Sequence, residues 1–379
     1  MNIIIFIIIL LVLVLVHEFG HFFVAKRFGI RVDEFGFGFP PKLFSFKKGE
    51  TEYSFNLLPI GGFVKIFGEN IEEADFVEVG FLDKEKTAEK IELAKRSLIN
   101  KPKYQQAIVL FAGVLANFLL AWLLFSVGFM SGLPTSVGNE PKGYSATDVY
   151  LVLVSVLANS PAEIGGLKSG DKIVSVKSNT DTLSDINPDT LKSFIISHPD
   201  KEINFSYLRG KDTTINIAQV VPVKKTPTEN PSIGIAMDEI GVVKLPVFQA
   251  LWEGLKLDWS VTEGTVVGLY KLIAEGIEGK GSLASVTGPV GMVGIVGSAY
   301  QFGFVYLLSF TALISVNLAI INLIPFPALD GGRLLFLLIE KIKGSRINPK
   351  FANTANMIGF AILIILMLLV TYYDVIKLF

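Results

Sequence analysis

Apolar residues run from Ile3 to Val16 without one charge, and the run ends in His17, Glu18, Phe19, Gly20 and His21. About 20 apolar residues span a bilayer as a helix. The first run, taken as 2–25, meets that length. So do segments within 105–133, 304–324 and 351–373, and the pattern predicts four membrane-spanning helices. Other periods fill the stretches between them. Residues 33–68 hold aromatic positions alternating with glycine, from Phe35 to Phe39, and a period-two run around Tyr53 and Phe55. Prolines and the Gly61, Gly62 pair punctuate this stretch, which reads as strands in a hairpin-like element lying against the membrane domain. Residues 69–103 turn acidic and then lysine-rich, the pattern of a solvated helix or loop. Residues 245–275 place Phe248, Leu251, Leu255, Trp259, Val266, Tyr270 and Ile273 at helical spacing among charges. This predicts an amphipathic helix on the membrane surface rather than a span.

Residues 145–225 read as a compact β-rich domain. Strands are expected at 149–156, 171–176, 202–208 and 213–220, with a short helix at 190–197. The run from Ser160 through Pro161, Ala162, Gly166, Leu167, Gly170, Asp171 and Ile173 resembles the signature of PDZ domains. A PDZ fold offers a sheet edge to a peptide C-terminus or an extended peptide. It can equally act as a lid or spacer. The fold expected is thus a polytopic α-helical membrane protein with a membrane-associated β-hairpin loop and an inserted PDZ domain. The order is helix 1 in 1–32, the β-loop in 33–68, a charged helix or loop in 69–103 and helix 2 in 104–133. The PDZ domain follows in 145–225, the amphipathic region in 226–303, helix 3 in 304–332 and helix 4 in 351–376. Gly288 to Gly291 reads as a turn before helix 3.

Composition agrees with this class: 51% of the 379 residues are hydrophobic and the mean hydropathy is +0.53. The net charge of −1 implies no nucleic-acid partner. The absence of cysteine excludes disulfides, thiolate ligands and a cysteine nucleophile. The first segment lacks a basic leader and a small-residue cleavage site, so it reads as a retained helix. Lys26, Arg27 and Arg31 follow it, Lys101 and Lys103 precede the second, and Arg333, Lys341, Lys343, Arg346 and Lys350 lie between the third and fourth. Basic residues mark the cytoplasmic side. Both termini and the β-rich domain are then expected outside, with the His17 region near the cytoplasmic face.

Two histidines four apart on a helix project from one face, and a glutamate between them can take a proton from a metal-held water. Ionisable groups at membrane depth are usually functional. Only one other histidine exists, His198, expected in a surface loop. The third span ends with Asn322, Pro325, Pro327 and Asp330. Two prolines end or unwind a helix, and Asp330 then lies at the same level as the histidines. It is a candidate third ligand, leaving a fourth position for water; its other use would be to cap the next helix. Asn322 could donate to substrate or to a developing oxyanion, or satisfy freed carbonyls. Gly113 and Asn117 share a face in the second span, which should pack on protein rather than lipid.

Together, the His17–Glu18–His21 helix, the turn from Asn322 to Gly331 and the intervening PDZ-like run resemble the site-2 protease family of intramembrane zinc metalloproteases. The resemblance covers nearly the whole chain. It implies Zn²⁺ on His17, His21 and Asp330, Glu18 as catalytic base, and substrate contacts from Asn322, Pro325, Gly61, Gly62 and Phe63. Gly36 to Gly38 and Pro59 to Lys65 are similar to that family's membrane-reentrant β-loop, which holds the substrate extended. Gly113 and Asn117 resemble another family motif, with Val114 where that motif has proline. The implied substrates are single-span membrane proteins such as anti-sigma factors or remnant signal peptides, and the implied place is the bacterial cytoplasmic membrane. Two other classes fit parts of the pattern: a non-catalytic membrane PDZ scaffold, and a divalent metal transporter. Few ionisable groups in helices 2 and 4 weigh against an ion path.

Overall fold

Long uncharged runs fold as helices because a helix satisfies every backbone N–H and C=O within one segment. A computed structural model describes residues 1–69, 92–179, 181–210, 213–224, 230–279 and 286–376. Four of its helices are long and apolar enough to cross a membrane: α1 (Asn2–Arg27), α2 (Lys103–Ser131), and two later ones, Phe304–Leu323 and Pro349–Ile376. The chain divides into two units. One comprises Met1–Leu124, Leu255–Gly297 and Phe310–Phe379; the other comprises Phe125–Gly254 and Ser298–Ser309.

In the first, spanning unit, α1 is followed by β1 (Val32–Lys48) and β2 (Thr51–Ile66). Both strands are long and serve twice. Residues 32–37 pair with 62–66, and 42–48 pair with 51–56, with repeated register shifts between. Gly62 lies against Val14 and Leu15 of α1, so this small sheet rests on the helix that carries the histidines. Ala25, Ile30, Val32, Ile66, Leu98 and Val109 form a core beneath it. Ile3, Ile4, Ile8, Val12, Phe19 and Phe23 of α1 are exposed. The charged segment expected at 69–103 falls largely on 70–91, outside the described residues; Leu98–Asn100 makes one 3-10 turn.

The second unit holds a sheet of strand order β3-β8-β4-β5-β6-β7. Its elements are β3 (Leu133–Ser136), β4 (Thr147–Val156), α3 (Pro161–Ile164), β5 (Lys172–Ser178), α4 (Pro188–Ser197), β6 (Ile203–Leu208), β7 (Asn216–Val220) and β8 (Ile235–Val243). The sheet reaches beyond 145–225 at both ends. β3 and β8 pair with each other, Leu133 opposite Val243, and β8 also pairs with β4. Leu151, Leu153, Ile173, Phe205 and Tyr207 alternate inward against Leu191, Phe194 and Ile195 of α4. Asn187 caps α4 by accepting from the Thr190 N–H at 2.9 Å. Asp171 is fully buried. It accepts from the Lys168 N–H at 2.8 Å and from the Arg209 guanidinium at 2.7 and 2.8 Å. His198 is buried too, donating from Nδ1 to the Phe194 carbonyl at 2.9 Å, rather than exposed on a loop.

Past the sheet comes α5 (Val247–Ile277). Its aromatic face, including Phe248, Trp252, Trp259 and Tyr270, is exposed. In the spanning unit α5 also leans on the third span, where the Thr265 hydroxyl donates to Asn317 Oδ1 at 3.0 Å. Gly288 and Gly291 do not make a mere turn: they open a further helix, α6 (Pro289–Phe302), before α7 (Phe304–Leu323). Proline suits the first turn of a helix, whose N–H groups are free in any case. Two of those groups are satisfied from afar, since the buried Asp374 accepts from the Gly288 N–H at 3.1 Å and the Gly291 N–H at 2.8 Å. The basic link after the third span likewise holds a helix, α8 (Asp330–Lys343), ahead of α9 (Pro349–Ile376).

Candidate metal centre

His17 and His21 lie one turn apart on α1, 7% and 5% exposed. Their burial depends on two glycines. A Cβ on Gly20 would come within 2.3 Å of the Ala112 carbonyl oxygen, so only glycine lets α2 approach α1 this closely. A Cβ on Gly113 would fall 2.2 Å from His21 Nε2, in the space the imidazole uses. One turn along α2, Asn117 is fully buried with Nδ2 3.4 Å from His17 Nδ1, and its carbonyl accepts from the Ser315 hydroxyl of α7 at 2.8 Å. The face shared by Gly113 and Asn117 thus packs on protein.

The carboxylate arrives from the other end of the chain. α7 stops at Leu323, and Pro325 and Pro327 prevent its continuation. The turn then folds back on itself through Ala328, at φ 76°. Backbone is pressed against glycine three times. A Cβ on Gly331 would meet the Ile324 carbonyl oxygen at 2.2 Å, one on Gly332 the Phe326 carbonyl oxygen at 2.2 Å, and one on Gly359 of α9 the Pro327 carbonyl oxygen at 2.5 Å. Asn356 of α9 accepts from the Ala328 N–H at 3.2 Å. Asp330 is the first residue of α8, and its carboxylate turns toward the histidines of α1.

Asp330 Oδ2 lies 3.1 Å from His17 Nε2 and 3.2 Å from His21 Nε2, and the two Nε2 atoms are 3.3 Å apart. One ligand atom from each residue falls within 4.8 Å of the others. His21 donates its Nδ1 proton to the Val109 carbonyl at 2.8 Å, so in the neutral ring Nε2 carries the lone pair. Apart from the imidazoles, the buried Asp330 Oδ2 has no hydrogen-bond partner. Lone pairs converging on one point in a buried site call for a proton or a metal cation between them. Two imidazoles and one carboxylate form a donor set that suits zinc with one position left open.

Around this centre, Glu18 is half-buried and feels the charges of His21, His17, Asp330 and Glu69. Asn322 sits near the end of α7 with Nδ2 3.5 Å from His17 Nε2. Arg333, one turn beyond Asp330, pairs with Glu69. That charge, against the pull of burial, keeps the guanidinium pKa above its usual value. Gly61, Gly62 and Phe63 lie on β2, where Gly62 meets Val14 and Leu15, just ahead of His17 along α1, and Gly61 faces the Phe39 ring. The Phe63 ring fills the space over Gly36, and Gly61 adopts φ 106°. Pro325 acts here through the turn it imposes. Sequence reasoning gave no role in the site to Gly20, Val109, Glu69, Arg333, Asn356 or Gly359. Gly20 carried a signal, since glycine inside a helix weakens it and needs a packing reason. The Val109 carbonyl and the α9 contacts carried none.

Comparison with known proteins bears on this centre. Residues 5–366 match the model of peptidase family M50. A zinc metalloprotease RasP of Geobacillus kaustophilus is 32% identical, over 100% of this chain and 98% of its own length. One of Shouchella clausii is 31% identical, over 99% and 98%. The regulator of sigma-W protease RasP of Bacillus subtilis is 33% identical, over 100% and 99%.

Proposed function

The chain belongs to peptidase family M50, the site-2 proteases, and on that premise we propose that His17, His21 and Asp330 are the zinc ligands of an intramembrane endopeptidase with Glu18 as its general base. That the protein is a membrane zinc metalloprotease follows from its family and its relatives. The assignment of residues rests on one observation, the convergence of two imidazole Nε2 atoms and an otherwise unpartnered carboxylate oxygen.

Zinc in this donor set supplies Lewis acidity, acidifying a water and polarising a peptide carbonyl. Glu18, next to His17 on α1, would take a proton from the attacking water and pass it to the departing amine. Asn322 donates its amide N–H toward the carbonyl oxygen as negative charge develops there. A transmembrane helix hides its scissile carbonyls in internal hydrogen bonds. The β2 segment with Gly61, Gly62 and Phe63 supports an edge onto which an unwound substrate adds as a strand, replacing those bonds.

The protein resides in the bacterial inner membrane. We assign the active site to the cytoplasmic side and both termini and the β-rich unit to the outer side, on the distribution of Lys and Arg. The order of strands and helices around Asp171 supports a PDZ-type domain in the β-rich unit, which selects or admits substrate by its chain end. The name of the Bacillus subtilis relative supports a single-span anti-sigma factor as the substrate class.

The test is cleavage of a single-span substrate by purified protein in detergent, wild type beside Glu18→Gln, with zinc measured on both. The variant is expected to keep its zinc and to lose about 10²- to 10⁴-fold in rate, the usual contribution of a positioned base. Undiminished cleavage by the variant removes Glu18 from the role.

A further inference from the structure

Every group that aims the two histidines is accounted for except one. If His17 binds metal through Nε2, its Nδ1 must carry the proton, and that N–H needs an acceptor in a buried place. The atom near it is Asn117 Nδ2, at 3.4 Å, which is itself a donor. Asn117 Oδ1, in the same fully buried amide, has no partner at all. Amide oxygen and nitrogen are told apart by their hydrogen bonds and not by their shape. A half-turn of the amide exchanges them and resolves both faults together: Oδ1 accepts from His17 Nδ1–H. His21 shows the parallel arrangement, its Nδ1 donating to the Val109 carbonyl.

We propose that Asn117 is a positioning residue that accepts the His17 Nδ1 proton through Oδ1, fixing the tautomer and ring orientation that present Nε2 to zinc. The two histidines are then each held from α2, one by a backbone carbonyl and one by a side-chain amide. Asn117 is well placed for it, because its own carbonyl is tied to Ser315 of α7 and Gly113 leaves the His21 ring beside it. This rests on the reading of His17 as a ligand. A partner in this position ordinarily changes metal affinity by about 10- to 100-fold.

The experiment is a zinc titration of metal-stripped, full-length protein in detergent, against a chromophoric chelator. Wild type is compared with Asn117→Leu, Asn117→Asp, Ser315→Ala and His17→Ala. Asn117→Leu is expected to weaken zinc by about 10- to 100-fold. Asn117→Asp keeps the acceptor and loses only the NH₂ group, so it is expected to bind zinc at least as tightly as wild type. Ser315→Ala is expected to match wild type, which separates the aiming of His17 from the α2–α7 tie. If Asn117→Asp binds as poorly as Asn117→Leu, the amide acts through its NH₂ group or through packing, and the proposal falls. If Asn117→Leu does not fold, the Asp variant decides alone, since the two readings predict opposite outcomes for it. His17→Ala separates the levels. Loss of zinc there with full affinity in Asn117→Leu overturns only this inference; full affinity in His17→Ala overturns the ligand assignment beneath it.

Discussion

The spanning unit and the β-rich unit bury their polar groups in opposite ways. In the β-rich unit the buried charge of Asp171 meets three donors at 2.7 to 2.8 Å, and apolar residues close around α4. Among the described residues, four buried side-chain atoms have no hydrogen-bond partner, Ser54 Oγ, Ser97 Oγ, Asn117 Oδ1 and Asp258 Oδ1, and a fifth, Asp330 Oδ2, has none beyond the two imidazoles. All five belong to the spanning unit. An unmet buried polar atom costs about 1–3 kcal/mol. A fold retains such atoms where something other than stability selects them, and two of the five are in the metal centre. In the β-rich unit the buried carboxylate of Asp171 completes a structure, whereas in the metal centre of the spanning unit the buried carboxylate oxygen of Asp330 faces only imidazoles.

Three substitutions sharpen that contrast. The largest effect is expected of Asp330→Ala. It should reduce zinc affinity by more than the roughly 100-fold limit typical of outer partners and abolish cleavage. The melting temperature of the metal-free protein should not fall, because the lost carboxylate had no bond to break beyond the imidazoles. A clear drop in that temperature would make Asp330 a structural residue like Asp171. Asp171→Ala should do the reverse. Removing a buried carboxylate with three donors costs about 2–4 kcal/mol of stability, read by denaturation of the β-rich unit, while bound zinc stays at the wild-type level.

The smallest effect concerns pH. Burial pushes the Asp258 carboxyl up to about 6 from 3.8. The folded state therefore holds its proton where the unfolded chain has released it. Stability is unaffected by this group below about pH 4, falls as pH rises from about 4 to about 6, and stays lowered above that. At about 1.4 kcal/mol per pKa unit, the decline is about 1–3 kcal/mol. Asp258→Asn should flatten it in melting curves taken between pH 4 and 7. An unchanged slope would assign the pH dependence to other groups.

The four long apolar helices were legible because twenty uncharged residues leave the chain few alternatives. The histidines were legible because helical spacing is rigid, and Asp330 because two prolines force α7 to stop shortly before it. Other elements were hidden for physical reasons. Gly288 and Pro289 read as a turn, although proline is also at home in the first turn of a helix, as in α6. The capping carboxylate that makes this a helix start is Asp374, far along the chain. β3 is four residues long and acquires its meaning only when β8 pairs with it. The contacts of Gly20, Gly331, Gly332 and Gly359 depend on which backbone passes nearby, a fact no local pattern holds.

The three glycine contacts around the turn before α8 have one more consequence. Packed carbonyl against Cα, with Asn356 holding the Ala328 N–H, this loop has few conformations left to it. Ion binding ordinarily has to freeze the segment that supplies a ligand, and the entropy lost there weakens the complex. Here the freezing is done during folding, by excluded volume. On the ligand assignment proposed above, the Asp330 carboxylate waits in place, and zinc would be taken up without this loop rearranging around it.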